Sequence, residues 1–230
     1  AALLKAGLSR RTVARRVSWA GRTELVRLLF GIDRPSAGTV KVKGRPVRIN
    51  SPREAIECGL ALLPEDRRGQ GLVVEMAVRE NITLPNLRPF SRLGLVSRHR
   101  EQKAVAEFIQ RLQIRTPSSH QFVKYLSGGN QQKVVLSKWL CSRAQVLIFD
   151  QPTVGIDVGA KAEIYRLIGE LAAEGAGVIL VSSELPEVLG LADRILVMYR
   201  GRIEAELSRA EATPEKLLFY AMGGGVASAR

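Results

Sequence analysis

The residues of this chain best suited to chemistry stand in Leu126-Ser127-Gly128-Gly129-Asn130-Gln131-Gln132, at the head of an expected helix that runs on through Lys133 to Leu140. Two glycines leave backbone N–H groups free to approach an anion, and Ser127 adds a hydroxyl donor. The helix points its positive end at the same place, which together makes a site for phosphate oxygens. A short interval later, Val146-Leu147-Ile148-Phe149-Asp150 reads as a buried parallel strand that ends in a carboxylate. An acid in that place suits a magnesium ion held through water beside a nucleoside triphosphate. A Ser-Gly-Gly turn alone is a weak signal. The strand behind it, followed by Gln151-Pro152-Thr153 and Gly155-Ile156-Asp157, makes it specific.

A second phosphate-binding element is incomplete. A full phosphate loop reads G-x-x-x-x-G-K-[ST] after a buried strand. Here only Ala20-Gly21-Arg22-Thr23 is recognisable, opening a helix with Leu25, Leu28 and Leu29 on one face and Gly31 as its stop. Thr23 can offer a hydroxyl to magnesium. Arg22 keeps the charge of the usual lysine, but its planar fork does not replace a compact ammonium between phosphates. Trp19 runs straight into this element, and the join reads as an interruption. Residues of the loop strand are missing there through disorder or deletion, with disorder the favoured reading.

Three stretches carry a resemblance to a known family. Leu126–Lys133 (LSGGNQQK) resembles the signature of ATP-binding-cassette ATPases, 150–161 (DQPTVGIDVGAK) their Walker B and D-loop, and 182–195 (SSELPEVLGLADRI) their switch region. The match is closer still to the second, C-terminal cassette of the tandem ATPase subunit of bacterial ribose, galactose and xylose importers. It covers nearly the whole chain, in family order and spacing.

The resemblance implies an α/β P-loop NTPase fold of the ABC type, with a mostly parallel core sheet, a small antiparallel β lobe and a helical signature lobe. It implies ATP and Mg2+ as ligands. Gly21, Arg22, Thr23, Glu65, Ser127, Gly128, Gly129, Gln131 and Asp157 would bind the nucleotide, and Thr23 and Asp150 the metal. Gln151 stands at the position of the family's water-polarising glutamate, through deliberate exchange or natural degeneration. An amide holds water but cannot take its proton. Ser183 stands at the switch histidine, and Glu65 at a glutamine that contacts magnesium and water. Val154 stands where related sequences often have arginine. Arg22, Glu65, Gln151 and Ser183 all depart on one side of the nucleotide, so the chain's own site should be degenerate and the chain alone inactive. The signature is intact, so the chain looks like a donor to the ATP held by a partner cassette.

Implied partners are that second cassette, transmembrane permease subunits and, indirectly, a periplasmic sugar-binding protein, at the cytoplasmic side of a bacterial inner membrane. Two alternatives stand beside this reading: a structural cassette that has lost nucleotide binding, and a nucleic-acid-associated ABC ATPase.

The elements that must position these residues follow from pattern. The expectation is one domain over 1–230. Residues 1–60 form the antiparallel lobe and truncated phosphate loop, with 1–19 as its first strand region and 38–50 as a hairpin turning at Gly44. Ser51-Pro52 opens a short helix that Gly59 ends, and Leu60 to Leu63 is a buried strand. Residues 66–97 are loop-rich, with a short helix start at Val78. Residues 98–140 form the helical lobe, where Val105, Phe108, Ile109 and Leu112 share a face. Residues 141–205 are the core, with strands at 146–150, 178–181 and 195–198 and helices from Ala160 and Pro186. Residues 206–230 are a tail with a helix from Pro214 to Met222 and a flexible Gly223-Gly224-Gly225.

Composition narrows the function classes. With 230 residues and 46% hydrophobic content, the chain can bury a sizeable core. No apolar run approaches the roughly 18 residues of a membrane span, and no signal peptide is evident, so the chain reads as soluble with any membrane link made through a partner. Cys58 and Cys141 lack metal-like spacing and read as small core residues of a reducing compartment. His99 and His120 read as surface residues. The net charge of +13 is compatible with nucleic acid, anionic nucleotide, lipid head groups or plain surface charge. Scattered arginines without interleaved aromatics argue against nucleic acid.

Overall fold

The computed structural model describes residues 11–15, 21–92 and 94–224. In chain order its regular elements are β1 (Arg11–Arg15), α1 (Arg22–Leu29), β2 (Val40–Val42), β3 (Arg45–Val47), α2 (Pro52–Glu57), β4 (Leu60–Leu63), α3 (Val78–Thr83), β5 (Ser91–Arg92), β6 (Leu95–Val96), α4 (Arg98–Arg111), α5 (Gly128–Cys141), β7 (Val146–Asp150), α6 (Val158–Ala173), β8 (Gly177–Ser182), α7 (Leu185–Leu191), β9 (Arg194–Tyr199), β10 (Arg202–Ser208) and α8 (Pro214–Ala221). The chain divides into two compact units, Ala1–Leu62 with Gln145–Gln151 and Ile168–Arg230, and Leu63–Ala144 with Pro152–Leu167.

The first unit is built on a sheet of order β10-β9-β1-β8-β7-β4. β7, β8, β1 and β9 run parallel, and β10 turns back antiparallel on β9. The apolar runs Leu147–Phe149, Leu180–Val181 and Ile195–Met198 are buried, as central parallel strands require. α1 packs on β7, α7 on β8, and α8 on β9 and β10. The hairpin β2–β3 turns through Lys43 and Gly44, both at positive φ, as a two-residue connection demands. Ser51 caps α2 by accepting from the Glu54 amide at 3.3 Å, with Pro52 at its first position.

Two expectations are corrected here. The strand expected within 1–19 as part of an antiparallel lobe is instead a strand of the core sheet: β1 lies parallel to both β8 and β9. The interruption expected at Trp19-Ala20 lies outside the described residues. β1, ending at Arg15, is the described strand that precedes α1 in the chain. The division at 205 cuts through β10, which continues to Ser208 and belongs with the sheet rather than with a tail. Trp19 and Gly225 lie outside the described residues.

The second unit is mainly helical. α3 packs against α4 and α5, around buried Val78, Ile82, Val105, Leu112, Val134, Val135 and Leu136. On α4, Val105 and Leu112 are buried as expected, while Phe108 and Ile109 are half-buried. Glu101 is buried as well, bonded to Arg79 Nη1 at 2.9 Å and the Thr83 hydroxyl at 2.7 Å. A carboxylate on the inner face is tolerated only with such partners. The short hairpin β5–β6 and a helical turn at Arg67–Gly71, capped by Asp66, fill the segment that pattern leaves as loop. His99 and His120 are exposed, and the two free cysteines are half-buried rather than in the core. Burial still pushes the Cys141 thiol up to about 11. Among the described residues, no helix is long and apolar enough to cross a membrane.

Candidate functional site

In the first unit, the parallel register puts the carboxyl ends of β7, β8 and β1 on one edge of the sheet, where Asp150 stands opposite Val181 and Ser182 opposite Arg15. Ligands of open parallel sheets bind at such an edge. Asp150 is 4% exposed at the end of β7. Gln151 follows at φ 53, a left-handed conformation costly for a side chain of this size. Its amide nitrogen donates to the Val181 carbonyl at 2.9 Å. Its side-chain Oε1 accepts from the Ser183 hydroxyl at 3.0 Å and from the Ser183 amide at 3.3 Å. The two residues expected at the catalytic positions are therefore in direct contact. Gln151 offers no base, and its amide oxygen is engaged by Ser183.

α1 brings the phosphate-loop remnant to this unit. Gly21 precedes it at φ 79, and Thr23 is half-buried in its first turn. Arg22 is 2% exposed and donates from Nη1 to the Ser182 carbonyl at 3.1 Å. One guanidinium nitrogen is thus directed at the end of β8. Counting back from Gly21, the first glycine of G-x-x-x-x-G-K-[ST] falls on Arg16, directly after β1. By count along the sequence, Arg16 and Arg22 therefore stand at the positions of the first glycine and the lysine, and 16–20 lie outside the described residues. Thr23 and Asp150 carry the hard oxygen donors that magnesium takes, on two elements, α1 and β7, that pack together.

The second unit holds Glu65, Ser127, Gly128, Gly129, Gln131 and Asp157. Glu65 is exposed in the bend after β4. Ser127 precedes α5, so the amides of Gly128, Gly129 and Asn130 have no acceptor within the helix. Asp157 caps α6, its Oδ1 accepting from the Ala160 amide at 3.0 Å. The starts of α5 and α6 border one pocket of about 230 Å³, which Ser127, Gly129, Asn130 and Asp157 help to line. Two helix amino termini make it receptive to negative charge.

The supporting groups around this pocket were not singled out from sequence. Asn130 donates to the Ser127 hydroxyl at 2.9 Å and accepts from the Arg115 amide at 2.8 Å. Lys133, almost fully buried, bonds the Gln113 carbonyl at 3.1 Å and pairs with Glu163 of α6. The Lys133 ammonium, bonded to the Glu163 carboxylate, holds its pKa below the usual glutamate value. A lysine inside the run Gln131 to Leu136, otherwise apolar beyond Gln132, was the available signal: a buried charge there needs a partner. Gln131 differs from expectation. It is fully buried, donating to the Val123 carbonyl at 3.1 Å and accepting from Arg68 at 3.2 Å, so it braces the turn instead of facing the pocket.

Residues 18–154 match the family model for ABC transporters. The chain is 52% identical over 204 residues to the ribose import ATP-binding protein RbsA of Pseudomonas putida, covering 89% of this chain and 40% of that protein. It is 53% identical over 205 residues to a putative ribose/galactose/methyl galactoside import ATP-binding protein of Burkholderia cenocepacia, again 89% of this chain and 40% of the other. The chain thus spans about two fifths of the length of the curated relatives it matches. Among solved structures, the ADP conformation of MJ1267, an ATP-binding cassette of an ABC transporter, superposes with a TM-score of 0.75 at 20% identity, over 94% of this chain and 85% of that one. That likeness concerns the fold. The matched stretch runs from the phosphate-loop remnant through the helix start at Ser127 to Asp150 at its strand end, and on these grounds the chain belongs to the ABC transporter family.

Proposed function

We propose that this chain is an ATP-binding cassette of a bacterial sugar importer that donates its signature to the ATP held by a partner cassette, while its own nucleotide site is degenerate. The observation that carries the proposal is the pocket where α5 and α6 begin, lined by Ser127, Gly129 and Asp157. Its free helix amides and hydroxyl suit the terminal phosphate of a nucleotide bound elsewhere. The sugar-import assignment is supported by the ribose-import relatives. Degeneracy of the chain's own site is supported by Gln151 bonded to Ser183, by Arg22 bonded to the Ser182 carbonyl, and by Arg16 in place of a loop glycine. ATP and Mg2+ are the ligands. Magnesium, when bound, neutralises phosphate charge, and Thr23 and Asp150 are the residues that would hold it on this chain. The partners are a second cassette, permease subunits and a periplasmic sugar-binding protein, with the chain peripheral on the cytoplasmic face of the inner membrane.

Steady-state ATPase assays on the assembled importer in lipid test this. Ser127→Arg fills the pocket with a bulky cation and should lower turnover about a hundredfold, the scale of losing a key charge-stabilising donor. Gln151→Glu should change turnover less than about tenfold, because Arg22 and Ser183 still leave that site without its lysine and histidine. Full activity in Ser127→Arg, or a larger gain in Gln151→Glu, would make this chain's own site the working one.

A further inference from the structure

Arg67 opens the helical turn Arg67–Gly71 and reaches across the second unit to the segment ahead of α6. Its Nη1 donates to the Val154 carbonyl at 3.0 Å and its Nη2 to the Gly155 carbonyl at 3.3 Å. The start of α5 lies against the same guanidinium. A Cβ on Gly128 would stand 2.7 Å from Arg67 Nη2 and 3.2 Å from the Gly155 carbonyl oxygen. One on Gly129 would stand 2.8 Å from the Ala160 Cβ. Neither glycine has a positive φ, so the constraint is close approach: firm at Gly129 against the Ala160 Cβ, and at Gly128 set by the Gly155 carbonyl and the movable end of Arg67.

Two neighbouring carbonyls match the planar fork of arginine, which a lysine could serve only one at a time. Burial holds the Arg67 guanidinium below its ordinary value, with neighbouring Arg68 adding to the effect and Asp66 opposing it. A half-buried cation bonded to two backbone carbonyls is held by both at once, although water still reaches those bonds.

We propose that Arg67 is a positioning residue for the signature edge: by clamping the Val154 and Gly155 carbonyls against the start of α5, it sets the separation of Ser127 from Asp157. The role of those two groups toward a partner's nucleotide rests on the donor reading above. The clamp itself is a property of this chain.

Hydrogen exchange on the chain tests the clamp without activity. In Arg67→Ala, peptides covering 126–131 and 153–161 should exchange about tenfold faster, with Arg67→Lys intermediate and α4 peptides unchanged. In the assembled importer, Gly128→Ala should lower ATP turnover about tenfold alone and less than about twofold on top of Arg67→Ala, since the methyl then takes the vacated space. Unchanged exchange at both peptides, or losses that simply multiply, overturns the clamp. Ser127→Arg in the same complex reports on the donor reading separately. Full turnover in that variant removes the reading, while the exchange result still decides the clamp.

Discussion

Removing either member of the Lys133–Glu163 pair should destabilise the second unit, and the two losses should be unequal. The lysine side chain is 4% exposed and the glutamate 35% exposed, so the lysine depends more on its partner. Glu163→Ala leaves a buried ammonium with the Gln113 carbonyl as its remaining acceptor. Breaking a buried pair in this sense costs about 3 kcal/mol. Lys133→Met keeps the length of the side chain and leaves a carboxylate that water can reach. Its cost is a charged hydrogen bond offset by rehydration, about 1 kcal/mol.

The pH dependence follows from the same pair. The folded pKa of Glu163 is lowered by Lys133, so the stability it contributes is present above the unfolded value and is lost as pH falls through the folded one. The gap between wild type and Lys133→Met should therefore be full at neutral pH and shrink below about pH 4. Urea denaturation of the chain and both variants at neutral and acid pH measures this. A larger loss in Lys133→Met than in Glu163→Ala, or a gap that does not shrink in acid, would refute the reasoning.

Two further outcomes are expected. Gly129→Ala places a methyl 2.8 Å from the Ala160 Cβ and should cost about 1–2 kcal/mol after its gain in helix propensity, whereas Gly190→Ala, with nothing within 4 Å, should stabilise α7 by about 0.5–1 kcal/mol; thermal denaturation reads both. Nucleotide binding by the chain should be weak and magnesium-dependent, and Asp150→Ala should weaken it further in titration calorimetry; micromolar affinity unaffected by the substitution contradicts the assigned edge.

Local pattern carried much of this structure. The caps at Ser51 and Thr213, the apolar strands ending at Asp150 and Ser182, and the helix start at Ser127 are all written in neighbouring residues. What pattern could not carry was decided by partners distant in sequence. Arg11–Arg15 has basic residues at both ends and only Thr12, Val13 and Ala14 between, a weak strand by composition, and its place is set by parallel bonds to β8 and β9. The glycines of the signature were legible as glycines, but the groups that a side chain there would meet, the Arg67 guanidinium and Ala160, are far away in the chain. Gln131 reads as part of a ligand-binding string, yet its amide is spent on Arg68 and Val123.

The same distinction separates the two sets of site residues. On the sheet edge, register brings Gln151 and Ser183 together across 32 positions, and there they satisfy each other: the hydroxyl that could meet a phosphate donates to the amide oxygen that could hold a water. A ligand that needs the Ser183 proton must take it from this bond, which costs part of the binding it would gain. At the start of α5 the order is reversed. The supporting groups Asn130, Lys133 and Arg67 bond inward, to a side-chain hydroxyl, a carboxylate and backbone carbonyls, while the first amides of the helix have no internal acceptor at all. A helix start held from within by these bonds, with its first amides turned outward, suits an anion with little rearrangement, and that preorganisation is what the proposed donor role calls for.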